Sequence, residues 1–160
     1  MRTKAALLGL MIALIGSGVI IGMVVPAAPQ PAREKIHVVT PYAKFGGSRD
    51  VDVGKHGPSV GDYGITRAPA FKVGTTKPVG WDRDECVLIL VKAQVYDCHG
   101  TFKLPRGRIT FEGVASFKKG RGTHAITGGT GAYRNAGGAL KVYGTRRALH
   151  HVFFLTLNTP

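Results

Sequence analysis

Acidic side chains are scarce in this chain of 160 residues. Nine Asp and Glu stand against 22 Lys and Arg, a formal net charge of +13. An excess of that size favours contact with anionic surfaces: cell-wall polymers, lipid headgroups or nucleic acid. The cations are scattered, however, through Lys103, Arg106, Arg108, Lys118, Lys119 and Arg121, and no helix-turn-helix, RNP or zinc-finger pattern surrounds them. They read as solvated strand ends and loops, so nucleic acid is not expected as a partner. Nucleotide-binding signatures are missing too. The Gly-rich stretch after Thr127 lacks the phosphate-loop order, and Arg134 stands where a dinucleotide fingerprint needs its third Gly. There is no G-x-S-x-G elbow. The six histidines (His37, His56, His99, His124, His150 and His151) are dispersed, and the adjacent pair would point to opposite faces of a strand. No metal and no cofactor are expected. Beyond the first 25 residues no segment carries a helical period.

What is present begins with an apolar run. Arg2 and Lys4 precede Ala5–Val25, and Val25-x-Ala27 fits the small-residue rule for signal cleavage. Residues 1–27 therefore read as an export signal. They also fit an uncleaved membrane anchor, since 21 apolar residues at about 1.5 Å each reach roughly 30 Å, the thickness of a bilayer core. Either reading places the rest of the chain outside the cytoplasm, secreted or anchored through residues 5–25. Residues 28–59 read as a Pro- and Gly-rich linker, with a first short β-run at 36–40 and a long loop over 44–61.

Residues 60–160 form the main domain. Gly and Pro divide them into short β-runs at about 62–71, 84–91, 94–103, 108–117, 123–127, 139–146 and 149–157. With 36–40 the count is eight, enough to close a barrel and remove the exposed edges; an open sandwich fits the same count. The segment Ala125–Val142 reads as strand, turn, strand. Gly128, Gly129 and Gly131 supply turn angles that a Cβ forbids, and Gly137-Gly138 offers a second bend.

Cys86 and Cys98 are the only cysteines. An exported chain meets oxidising conditions, where such a pair is usually bridged. If 84–91 and 94–103 form a hairpin centred near Lys92, the two residues fall opposite each other on one face. The alternative, a reactive thiol at Cys86, lacks a neighbouring base to activate it.

Thr127-Gly-Gly-Thr-Gly-Ala-Tyr-Arg134, followed by Asn135-Ala136-Gly137, resembles the hallmark segment of the allene oxide cyclase and dirigent families. Val60-Gly-Asp-Tyr63, Val79-Gly80 with Cys86-Val-Leu88, and Gly100-Thr-Phe102 with Ile109-Thr-Phe-Glu-Gly113 match in the same order. The resemblance covers residues 60 to 157. It implies an all-β, eight-stranded antiparallel, calycin-type barrel that holds an apolar molecule or reactive intermediate, often as a trimer. Allene oxide cyclases carry a Glu in their first strand, and the run Ile36–Thr40 has no carboxylate, which weighs against that particular reaction. Dirigent proteins use aspartates near the pocket, and Asp62 is the nearest match.

Ionisable groups gather where a barrel mouth would lie: Asp62, then Asp82, Asp84 and Glu85, then Asp97 and His99. Asp62 and Glu112 are the candidate acid–base residues, because a carboxylate against apolar walls has a raised pKa. By alternation either Glu112 or Phe111 faces the lumen, not both. Tyr63, Tyr96, Phe102, Phe111 and Tyr133 are the candidate ligand-binding residues. The functional expectation is a secreted barrel that binds a small apolar or aromatic molecule and steers its conformation. Alternatives are an isomerase or cyclase using a pocket carboxylate, and a non-catalytic cell-envelope interaction protein. Two runs, Cys86–Val91 and Val152–Leu155, are apolar on both faces, and point to a homo-oligomer covering the outer wall.

Overall fold

The structure, a computed structural model, describes residues 30–44 and 47–157. The export-signal or anchor segment lies outside the described residues. Among them are nine strands: β1 (Ala32–Pro41), β2 (Arg49–Val51), β3 (Tyr63–Lys72), β4 (Pro78–Leu90), β5 (Val95–Leu104), β6 (Gly107–Ser116), β7 (Arg121–Gly129), β8 (Ala136–Gly144) and β9 (Ala148–Leu157). From β3 to β9 each strand pairs antiparallel with the next, and β9 pairs with β1 along the whole length of both. The ring closes where Val38 and Val39 of β1 meet Lys72 and Phe71 of β3. The result is the expected all-β, closed eight-stranded antiparallel barrel. The ninth strand, β2, lies outside the ring count and pairs with the start of β3, beyond the reach of β1.

Three boundaries differ from the sequence expectation. The barrel does not wait for residue 60: β1 starts at Ala32, inside the segment read as linker, and so does contain a carboxylate, Glu34. The loop over 44–61 contributes β2. The third difference is β4, which begins at Pro78, not near 84. Pro78 and Gly80 looked like punctuation, yet Gly80 is within the strand, where a Cβ would collide with the Lys103 carbonyl of β5. Glycine here serves close strand approach instead of a break. Gly137 and Gly138 likewise lie within β8 and make no second bend. The β7–β8 connection is a 3-10 turn over Gly131–Tyr133. Gly131 enters it at φ +61°, with the Arg106 carbonyl where a Cβ would stand, while Gly128 has φ +149° and Gly129 is wedged between Arg108 and Tyr133. A side chain at Gly131 is therefore excluded twice, by backbone angle and by space.

The interior divides along the barrel axis. One end is filled by Phe102, Ile109, Leu140, Phe153, Leu155 and Tyr133, all buried. At the other end the inward positions are smaller, and a second cluster of Cys86, Cys98 and Ala115, with Tyr96 against it, forms part of the wall. Cys86 and Cys98 are direct partners across β4 and β5 and are disulfide-bonded, with Cα atoms 4.1 Å apart. The hairpin register placed them opposite each other, as the sequence spacing indicated. Replacing both by Ser should lower the unfolding free energy by about 3 kcal/mol, the loop-closure value for a short loop. A urea midpoint that does not move would show the bridge carries no stability.

Candidate functional site

The smaller inward residues leave a cavity of about 700 Å³ in the open half of the barrel. Ala115, Gly122, Val142, Gly144 and Leu149 supply much of its wall, and the residues of the 48–62 loop form the rim. Gly100 contributes indirectly. A Cβ there would stand 2.6 Å from the Phe111 ring, so its absence lets that ring turn into the lumen.

Of the candidate residues, Asp62, Tyr63, Tyr96 and Phe111 line this cavity, as do both cysteines. Glu112 does not. The pleat points Phe111 inward, leaving Glu112 exposed on the outer wall, so it cannot act on a guest in the lumen. Phe102 faces inward but is packed wholly within the filled half. Tyr133 is buried at the closed end, beneath the Arg106 guanidinium. The carboxylate of β1, Glu34, is also remote: it forms a bidentate pair with Arg106, at 3.0 and 3.1 Å. Asp62 is committed to the loop. Its carboxylate accepts from the amides of Val53 and Ser59 and from the Ser59 hydroxyl, at 3.0, 2.7 and 2.9 Å. Those amides, Ser59 foremost, hold its pKa below the usual range, so it stays ionised and shapes the rim.

The titratable groups inside the lumen are others: Asp84, His124 and His151 line the cavity, with Asp82 and Thr40 behind His151. The register explains the grouping. Asp82, Asp84 and Cys86 share the inward face of β4, and Asp84 stands opposite Thr66 and Gly100. Burial pushes the Asp84 carboxyl up to about 6, although a hydrogen bond from Thr66 and the field of His99 oppose the rise. Asp82 is raised well above the usual range, by burial and then by Asp84. His151 is pushed the other way, down to about 3, mainly by burial and then by the neighbouring imidazoles. Burial also lowers His124. At neutral pH both rings are thus uncharged. His151 Nε2 lies 3.3 Å from Thr40 Oγ1 and 3.6 Å from Asp82 Oδ2. Among the described residues, neither oxygen of Asp82, neither ring nitrogen of His124 and not Nδ1 of His151 has a hydrogen-bond partner. Buried polar atoms left this way are uncommon and cost stability, which makes the place the candidate site. The signal available in the sequence was Asp82-x-Asp84 on one face of a strand. It reads equally well as a solvated run, because Arg83 and Glu85 interleave it.

No protein-family model and no curated protein matches the sequence. Solved structures do match in fold. A pyocyanin demethylase superposes with a TM-score of 0.67 at 28% identity, over 77% of this chain and 100% of that one. A pterocarpan synthase dirigent protein gives 0.67 at 14% identity, over 83% and 100%. A Diels-Alderase from Streptomyces koyangensis gives 0.61 at 10% identity, over 80% and 65%. The chain therefore shares the dirigent-like barrel fold that the sequence resemblance implied.

The raised pKa of Asp84 has a sign that can be checked. The folded state holds this proton more tightly than the unfolded one, so the group's contribution is present below about pH 4 and lost as pH rises through about 6. Above that, ionisation costs on the order of 3 kcal/mol for a shift of about two units. Asp84→Asn should accordingly raise the melting temperature at pH 8 and leave it nearly unchanged at pH 4. Thermal melts at the two pH values decide this, and a fall at pH 8 would mean that the carboxylate is compensated.

Proposed function

We propose that the barrel takes a small apolar or aromatic molecule, or a reactive intermediate, into its lumen and holds it in one conformation, with Asp84 as the acid–base group. The observation that carries this reading is the cavity of about 700 Å³ whose largely apolar wall contains Asp84 at about 6. That volume suits a ligand of drug size, and a carboxyl titrating near 6 can both give and take a proton close to neutral pH. His151, held at about 3, is too weak a base for that work. It and His124 serve as neutral hydrogen-bonding groups that orient the guest, and Asp82 is a positioning residue behind His151. Fixing the guest's geometry contributes by itself, since orientation can supply several kcal/mol of a barrier.

The similar structures support the class of chemistry. Two of those matched are named for dirigent and Diels-Alderase activity, and the one at 28% identity for pyocyanin, a small aromatic. The leader and the disulfide support action outside the cytoplasm. We expect self-association through outer-wall side chains such as Ile89, Leu90 and Val114, which are 43%, 53% and 50% exposed; sedimentation of leaderless protein as a clean monomer would count against it.

The test is a titration of leaderless protein with N-phenylnaphthylamine, an uncharged dye that brightens in apolar surroundings. One site per barrel is expected, at micromolar affinity. Val142→Trp, which fills the lumen, should weaken it by more than about tenfold, equivalent to 1.4 kcal/mol, with the circular dichroism of the barrel retained. Dye that binds the filled variant equally well would place the site elsewhere. Once a substrate is identified, lost turnover with retained binding in Asp84→Asn marks an enzyme, and an unchanged rate marks steering alone.

A further inference from the structure

The charges of this protein are segregated in a way its composition conceals. Four of the nine acidic residues, Asp50, Asp52, Asp62 and Asp84, line the lumen. Among the described residues Arg121 is the one Lys or Arg that does so, out of 22 in the chain. Arg49 and Lys55 are on the same loop as Asp50 and Asp52 but are not part of the wall. Among the described residues, carboxylates thus gather at the lumen and its rim, while all but one Lys or Arg stay outside it.

We infer that the lumen selects an organic cation: a flat or compact apolar molecule bearing a quaternary or protonated nitrogen. The inference rests on the reading of the lumen as a guest chamber and adds the guest's charge. Several observations converge on it. Asp62 is kept ionised by the loop amides that bind it, and Asp52 is held in place by the Gly57 amide at 3.1 Å. Two carboxylates of the rim are thus held by loop amides. Low-dielectric walls focus such a field into the cleft. Next, the wall is rich in π-faces. Tyr42, Tyr63, Tyr96, Phe111 and Phe117 all line it, and Tyr96 stacks on Phe117 with ring centroids 4.4 Å apart. Aromatic faces combined with carboxylates are the recognition chemistry of ammonium ligands. Finally, among the described residues Arg121 is the one permanent cation of the wall, set against four carboxylates. His124 and His151 are both at least nine-tenths buried and line the cavity, and both ring nitrogens of His124 and Nδ1 of His151 have no hydrogen-bond partner among the described residues. Being neutral, they offer hydrogen bonds to a guest without repelling its charge.

Asp84 extends the same logic inward. Thr66 on β3 hydrogen-bonds it, Asp82 stands two residues away on the same face of β4, and His124 and His151 are further round the wall, while His99, exposed on β5, acts on it from the outer side. Among the described residues that line the cavity Arg121 is the one permanent cation. A positively charged guest would satisfy the Asp84 carboxylate, and the acid that costs stability in the empty chamber would contribute affinity in the filled one.

Three naphthalene probes of nearly equal size separate charge from shape: naphthylmethyl-trimethylammonium, naphthylmethanol and naphthylacetate. Each is titrated at pH 8 against leaderless protein carrying N-phenylnaphthylamine, and displacement is followed by fluorescence. The cation should displace the dye at least about tenfold more tightly than the alcohol, and the anion should be weakest, in line with a desolvated cation–π contact plus one nearby carboxylate. Added salt should narrow the gap. So should Asp50→Asn/Asp52→Asn at the rim and, separately, Asp84→Asn within, each by at least about threefold in the cation-to-alcohol ratio. An alcohol that binds as tightly as the cation overturns the charge selection and leaves the chamber standing. Failure of all three probes to compete, or a dye that never binds, overturns the chamber itself. An anion that binds best would mean that the exterior's positive field governs entry, and the proposal would fall.

Discussion

Successive side chains on a strand point to opposite faces, so closing eight strands commits every second residue to an interior of fixed width. What fills that width is then a matter of side-chain size. Toward one end of the barrel the inward positions hold Phe102, Ile109, Leu140 and Phe153, which meet across the axis and close it. Toward the other they hold Ala115, Gly122, Gly144 and Gly64, too small to meet, and a hollow remains. The same backbone thus makes a packed core and a chamber, with no change in architecture between them. The packed half provides the burial that keeps the barrel folded. The hollow half gives up part of that burial, and it places carboxyls where water is scarce.

The electrostatics follow from the packing. Asp82 and Asp84 are two residues apart on a face that must look inward, so both are desolvated, and Asp84 adds to the difficulty of ionising Asp82. His151 sits against the filled half, edge-on to Phe102 with centroids 4.8 Å apart, and remains neutral for the same reason. A stability-optimised barrel would have apolar residues at these positions. Their presence is a departure from local consistency of the kind that binding and catalytic sites require. The disulfide across β4 and β5 offsets part of that cost by tying two strands of the cavity wall together.

The strand plan was readable in the sequence because its signals are local. Gly and Pro punctuate the runs, and the hairpin spacing alone placed Cys86 opposite Cys98. The phase of each strand was not readable, since a two-residue period has two equivalent settings and only closure chooses between them. That is why Glu112 and Phe111 could not be told apart, and why Asp84, though among the ionisable groups placed near the barrel mouth, was not singled out. Phe102 and Tyr133 looked like ligand contacts because an aromatic on an inward face is equally suited to a core. Which half of the barrel it occupies depends on the sizes of seven other strands' residues. Glu34 and β2 were missed for a different reason. Each lies in a stretch rich in polar or flexible residues, and each is extended only because β9 or β3 offers it a ladder.

Both cysteines of the bridge line the hollow. The staple and the chamber wall are one object, so the redox state of the surroundings sets the surface that a guest touches. In the presence of dithiothreitol the guest would face two thiols on strands no longer tied, and the molecule under assay would be a different receptor from the oxidised one.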